Sequence, residues 1–128
     1  MEDDGINIAD SLNNTFNDIN ISSPTVTATE GVVISANSTG NAFNGLTVDD
    51  VAQDCFQSAA TNTTINTATF SNCTLDGVLL TAVDATLTNI TINNTGNDGI
   101  QINATADNVS ITDLDINMTG ADLSLIHI

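Results

Sequence analysis

Apolar residues return along this chain in two clusters. The first is a short alternation with one residue between its members: Ile6 and Ile8, Val32 and Ile34, Phe56 alone, Val78 and Leu80, Ile100 and Ile102. A period of two marks a strand with one face buried. The second cluster reads apolar-x-x-apolar-x-apolar: Phe16, Ile19, Ile21; Phe43, Leu46, Val48; Ile65, Ala68, Phe70; Leu87, Ile90, Ile92; Ile111, Leu114, Ile116. A gap of three inside a period-two pattern predicts that the chain turns a corner while both flanks stay inward. The gaps hold Asn17-Asp18, Asn44-Gly45, Asn66-Thr67, Thr88-Asn89 and Thr112-Asp113, so each offers an Asn, Asp or Gly able to take the left-handed conformation. No apolar stripe runs at helical spacing, and Thr, Val, Ile and Asn are poor helix formers, so helix is not expected.

An acidic residue, usually followed by glycine and then an apolar residue, opens each first cluster: Asp4-Gly5-Ile6, Glu30-Gly31-Val32, Asp54-Cys55-Phe56, Asp76-Gly77-Val78 and Asp98-Gly99-Ile100. Asp122 keeps the same beat, and the intervals are 26, 24, 22, 22 and 24 residues. Returns of that length define an array of coil-sized repeats, the mark of a solenoid. The repeats occupy residues 1–122, with coils starting near 5, 31, 55, 77 and 99. Every repeat presents its clusters in one order, so strands of successive coils should run parallel and stack at about 4.8 Å. The inward columns become Ile6/Val32/Phe56/Val78/Ile100 and Ile21/Val48/Phe70/Ile92/Ile116. The expected fold is all-β, a right-handed parallel β-helix of about five coils of 22–26 residues, its hand taken from the general rule for parallel crossovers.

Composition fits that reading. Trp and Tyr are absent and Phe occurs four times, while Asn, Thr and Ser number 18, 20 and 9; Thr favours pleated backbone and Asn tolerates tight bends. Fixed apolar offsets argue against disorder. With no Lys or Arg and 16 acidic residues the formal charge is -16, which excludes nucleic acid as a partner. The same charge tells against polyanionic sugars and anionic lipid heads unless a divalent cation bridges them. No apolar run approaches the roughly 20 residues of a membrane span, so no membrane insertion is expected. The repeat is already in phase at Asp4, and Met1 therefore reads as a start inside a longer frame. An acidic, Asn/Thr-rich surface suits an exported protein, extracellular or held at a cell surface. Cys55 and Cys73 lie 18 apart in one repeat; they read as buried free thiols, with a disulfide as the alternative because a bridge demands specific geometry.

The stretch Gly5-Ile6-Asn7-Ile8-Ala9-Asp10-Ser11-Leu12-Asn13-Asn14-Thr15-Phe16-Asn17-Asp18-Ile19-Asn20-Ile21 resembles the parallel β-helix repeat of carbohydrate-binding proteins, sugar hydrolases and cell-surface proteins, and Gly77 to Asp122 resembles it again. That motif specifies architecture and is shared by proteins of many functions. The resemblance implies an interior fragment of an exported or cell-surface β-helix protein with a structural, adhesive or glycan-contacting role. The alternative it implies is a non-catalytic portion of a polysaccharide lyase or glycoside hydrolase of this fold. After Asp122 the pattern breaks, with Leu123 at the glycine position and Ser124 at the first inward one. Residues Leu123-Ser124-Leu125-Ile126-His127-Ile128 resemble the translation of a transposon end used as a sequencing adapter, so 123–128 is expected to be a non-native tail and His127 no part of any site.

Candidate chemistry is sparse. Asp49-Asp50 is the one adjacent acidic pair beyond the N-terminal residues, and paired acids on a β-helix suggest polygalacturonase-type hydrolysis. The His and Arg/Lys motifs that accompany such acids are missing, so the pair reads as a solvated turn and no catalytic residue is expected. Ten Asn-x-Ser/Thr triplets occur, at Asn13, Asn20, Asn37, Asn62, Asn72, Asn89, Asn93, Asn103, Asn108 and Asn117. They could denote a glycosylated surface, but Asn-rich turns running into Thr-rich strands generate such triplets unaided. Thr47, Thr69 and Thr91 should form an outward ladder; irregular neighbours at Asp18, Gly45, Thr67, Asn89 and Asp113 leave an ice-binding solenoid as a remote alternative. In-phase stacking lines up Asp54, Asp76 and Asp98, with Asp4, Glu30 and Asp122, about 5 Å apart, where neighbours repel by about 1 kcal/mol in water. The expected relief is that each carboxylate accepts a hydrogen bond from its own turn's backbone and leans into solvent. The alternative is that calcium at Asp54, Asp76 and Asp98, or high salt, occupies the column. Neither end shows a polar capping element, so the isolated chain is expected to self-associate end to end.

Overall fold

The computed structural model describes residues 4–22, 29–82, 84–103 and 105–119. The expectations placed on Asp122, on the 123–128 tail and on His127 lie outside these residues. The fold is a parallel β-solenoid of about five turns, all-β, with no helix among the described residues. Each coil contributes one short and one long strand. The short strands β1 (Ile6–Ile8), β3 (Val32–Ile34), β5 (Phe56–Ser58), β7 (Val78–Leu80) and β9 (Ile100–Ile102) are the first apolar clusters, and they form one parallel sheet in that order. The long strands β2 (Thr15–Ser22), β4 (Ala42–Val51), β6 (Thr64–Cys73), β8 (Thr86–Thr95) and β10 (Ser110–Thr119) are the second clusters with their flanks, and they form the other.

Register follows the repeat. Ile6 faces Val32, then Phe56, Val78 and Ile100, and Ile21 faces Val48, Phe70, Ile92 and Ile116. Both predicted columns are therefore present, and in the middle coils they are closed to solvent: Val32, Val48, Phe56, Phe70, Val78 and Ile92 are fully buried. All four phenylalanines meet in this interior. Phe16 stacks on Phe43 at 4.8 Å, Phe43 meets Phe56 edge-on at 5.4 Å, and Phe56 lies 6.1 Å from Phe70, each pair adding about 0.5–1.5 kcal/mol beyond area burial. Where Phe56 stood alone in the pattern, Ser58 takes the second inward place. It is buried and satisfied by Thr63, whose Oγ1 lies 2.8 Å from its Oγ.

The corner predicted within the second cluster is a bend inside each long strand, and the strand continues on both sides of it. The second gap residue carries the left-handed backbone every time: Asp18 (φ 53), Gly45 (75), Thr67 (61), Asn89 (56) and Asp113 (55). In the third coil that residue is Thr67, because the Asn of its pair, Asn66, sits one place too early. A β-branched side chain there is an outlier.

The recurring glycine at each coil start has a packing cause. A Cβ on Gly77 would fall 2.5 Å from the Gly99 carbonyl oxygen and 2.8 Å from Ile92 Cγ2. The third coil places Cys55 at this position, and the free-thiol expectation is corrected here: Cys55 is bonded to Cys73, with Cα atoms 5.5 Å apart, and no described cysteine is free. A separation of 18 residues is most of one coil, so the chain returning along β6 brings Cys73 back beside the coil start.

Candidate polar face and buried acid column

The outward side chains of the long sheet stand in rows that run across the coils. One row is Asn20, Thr47, Thr69, Thr91 and Asp115, which contains the predicted threonine ladder. A second is Asn17, Asn44, Asn66, Thr88 and Thr112. Its amides bond in sequence, Asn44 Nδ2 donating to Asn17 Oδ1 at 3.0 Å and Asn66 Nδ2 to Asn44 Oδ1 at 2.9 Å. Exposed bonds of this kind contribute little each, about 1 kcal/mol or less net, but they hold neighbouring amides in one orientation. An open groove of about 320 Å³ lies along the first row, lined by Asp18, Asn20, Thr47, Thr67 and Thr69 with Ile19, Gly45, Leu46 and Ala68. Sequence periodicity marks the rows but not the groove, because the groove is built from side chains of three different strands.

Asp49 and Asp50 do not act as a pair. Asp49 points outward from β4 and accepts from Ser71 Oγ and Asn72 Nδ2, both at 2.8 Å. Asp50 has a left-handed backbone (φ 61) and lines a second open recess of about 580 Å³ with Asn72 and Asn94. Asn94 Nδ2 donates to Asn72 Oδ1 at 2.7 Å, so this edge is another ladder.

The acid column is closed to solvent only in its middle coils. Asp54 and Asp76 are each only 5% exposed, and Asp98 is half-buried. The Asp54 and Asp76 carboxylates accept from the coil that follows and not from their own turn: Asp76 N–H donates to Asp54 Oδ1 and Asp98 N–H to Asp76 Oδ1, both at 3.0 Å. Burial pushes the Asp54 and Asp76 carboxyls above the usual 3.8; the accepted backbone hydrogen bond opposes this, and the charge of the next acid adds to it. Among the described residues no three His, Cys, Asp or Glu side chains come together in a way that could hold a metal ion. Asp54, Asp76 and Asp98 are thus stacked one per coil, each with one oxygen engaged where the acceptor bond is present.

Fold and surface together define a parallel β-solenoid with a grooved, polar, hydrogen-bonding face on its long sheet. Comparison with protein-family models, curated proteins and solved structures finds no match to this chain.

Proposed function

We propose that this chain is part of an exported or cell-surface solenoid whose grooved polar face contacts glycans. The observation that carries the reading is the pair of polar rows, mainly amide and hydroxyl, that run in register across the five long strands, one of them lining an open groove over β2, β4 and β6. Such rows offer donors and acceptors at about 4.8 Å intervals, suited to a polymer that repeats its own hydroxyls. The Cys55–Cys73 bridge supports export, since disulfides persist in oxidising compartments. A charge of -16 selects against uronates and sulfated sugars and favours neutral or amino-sugar polymers.

The test is retention of the purified chain on immobilised neutral glucan, mannan, chitosan and polygalacturonate. Retention on one of the first three, absent on polygalacturonate and lost in Thr47→Leu/Thr69→Leu with an unchanged melting temperature, is expected. Retention on none, or retention that the double variant leaves intact, overturns the assignment of this face.

A further inference from the structure

The corner that precedes each long strand carries a second left-handed column: Asn13 (φ 54), Gly40 (77), Asn62 (55), Asp84 (60) and Asn108 (55). These residues share a place in every coil, because each stands two before the registered row Thr15, Ala42, Thr64, Thr86 and Ser110. Acceptor triplets therefore fall on the first, third and fifth coils of one corner, as Asn13-Asn14-Thr15, Asn62-Thr63-Thr64 and Asn108-Val109-Ser110. The intervening coils break the triplet, with Gly40 and Ala42 in the second and Asp84 in the fourth.

We propose that Asn13, Asn62 and Asn108 are N-glycan attachment sites. All three are exposed. Among the described residues the side-chain amides of Asn13 and Asn62 make no hydrogen bond, whereas Asn37, Asn72 and Asn89 donate Nδ2 to the preceding coil. Asn108 Nδ2 donates to Asp84 Oδ1 at 3.1 Å, a bond that needs one of its two protons. Asn13 Oδ1 lies over Gly40, where a Cβ would overlap it, so the site between the first two acceptors is kept clear of side chains. Spacing decides the alternation: adjacent coils are about 4.8 Å apart, less than the width of a sugar ring, whereas alternate coils give about 10 Å. In the transfer, Asn Nδ2 bonds to the anomeric carbon of a polyprenyl-diphosphate-linked sugar. The bond from that carbon to the diphosphate oxygen breaks, the diphosphate leaves with the electron pair, and Nδ2 releases one proton and keeps the other.

The inference rests on export of the chain, so the experiment supplies export through a foreign signal peptide in a eukaryotic secretory host. Secreted protein is treated with glycan-releasing amidase in heavy-oxygen water, and site occupancy is read by peptide mass spectrometry. Isotope-labelled Asp at 13, 62 and 108 is expected, with the loss of one glycan unit in both Asn62→Gln and Thr64→Ala. Secreted, β-rich chain unmodified at these three, or with sugar confined to the other seven triplets, overturns the proposal. Failure of the glucan, mannan and chitosan tests bears on the grooved face alone and leaves this result separate.

Discussion

The backbone N–H of Asp76 donates to the Asp54 carboxylate at 3.0 Å, and Asp98 repeats the bond to Asp76 one coil later. Asp76 is thereby both a side-chain acceptor for the coil after it and a backbone donor to the coil before it. That explains why acids sit at a buried position at all: the carboxylate satisfies a backbone group facing it across the coil interface. The cost is desolvation of the charge, which raises both carboxyls above 3.8.

The direction of that shift fixes a pH dependence opposite to that of a salt-bridged acid. Above the raised folded-state pKa both folded and unfolded chains are ionised, and the fold bears the desolvation cost. As pH falls through that pKa the folded chain takes up protons first, so stability rises until the unfolded value near 3.8 is reached. Melting temperature should therefore climb on acidification from pH 7. Asp54→Asn/Asp76→Asn should melt higher than the parent at pH 7 and show a shallower climb, since Asn keeps an acceptor oxygen and carries no charge. An identical slope in parent and variant would assign the effect to the general surface charge.

Much of this architecture is written in the residue pattern, and the reason is physical. Inward columns such as Ile21/Val48/Phe70 are set by period and phase, which stacking preserves. What the pattern hides depends on distances between coils. Cys55 and Cys73 bond because the coil closes to 5.5 Å between their Cα atoms, and no spacing rule encodes that approach. Asp54 and Asp76, expected to lean outward on account of charge, are buried by the backbone partner they serve in the next coil. Ser58 holds an inward position that an apolar pattern does not mark, because only its contact with Thr63 makes burial tolerable. The groove is hidden for the same kind of reason: Asp18, Thr47 and Thr69 come from three strands, and only their stacking brings them to one recess.

The bridge within the third coil closes a loop of about the size for which cross-linking restricts the unfolded chain by about 3 kcal/mol. Reduction should lower the urea midpoint by a matching amount, and Cys55→Ala/Cys73→Ala should reproduce it without reductant. Equal midpoints for oxidised and reduced protein would show that the coil is held without it.

Thr67 is the one β-branched residue in a left-handed column otherwise made of Asp, Gly and Asn. Thr67→Asn should raise stability by about 1 kcal/mol by relieving the backbone, and its side-chain oxygen can replace Thr67 Oγ1 as acceptor for Asn89 Nδ2, now 3.3 Å away. Chemical denaturation of the two proteins gives the difference directly; a destabilised variant would mean that the Thr67 methyl makes packing worth more than the strain.

Calcium at Asp54, Asp76 and Asp98 is separable from simple screening. Sodium chloride and calcium chloride matched in ionic strength should raise the melting temperature alike, because the acids are stacked singly and surface repulsion at -16 is what salt relieves. A calcium increment above sodium that disappears in Asp54→Asn/Asp76→Asn/Asp98→Asn would instead establish a metal site in the column.

Strand register is tested by two neighbouring residues of β8. Ile90 is 1% exposed and lies between Ala68 and Leu114, whereas Thr91 points out between Thr69 and Asp115. Ile90→Asp places a carboxylate in the apolar interior with no cation anywhere in the chain's Lys and Arg inventory to pair it, at a cost of several kcal/mol. That is comparable to the whole stability of a domain this size, so loss of cooperative unfolding is expected. Thr91→Asp meets only water and the neighbouring Asp115, and a like-charge cross-strand pair on the surface costs roughly 0.2–1 kcal/mol. Because side chains alternate with a period of two, a shift of one residue would exchange the two outcomes. Circular dichroism melts of both variants therefore read the register: a cooperative melt near the parent for Thr91→Asp beside a collapsed one for Ile90→Asp supports it, and the reverse order would move every inward residue of the long strands to the outside.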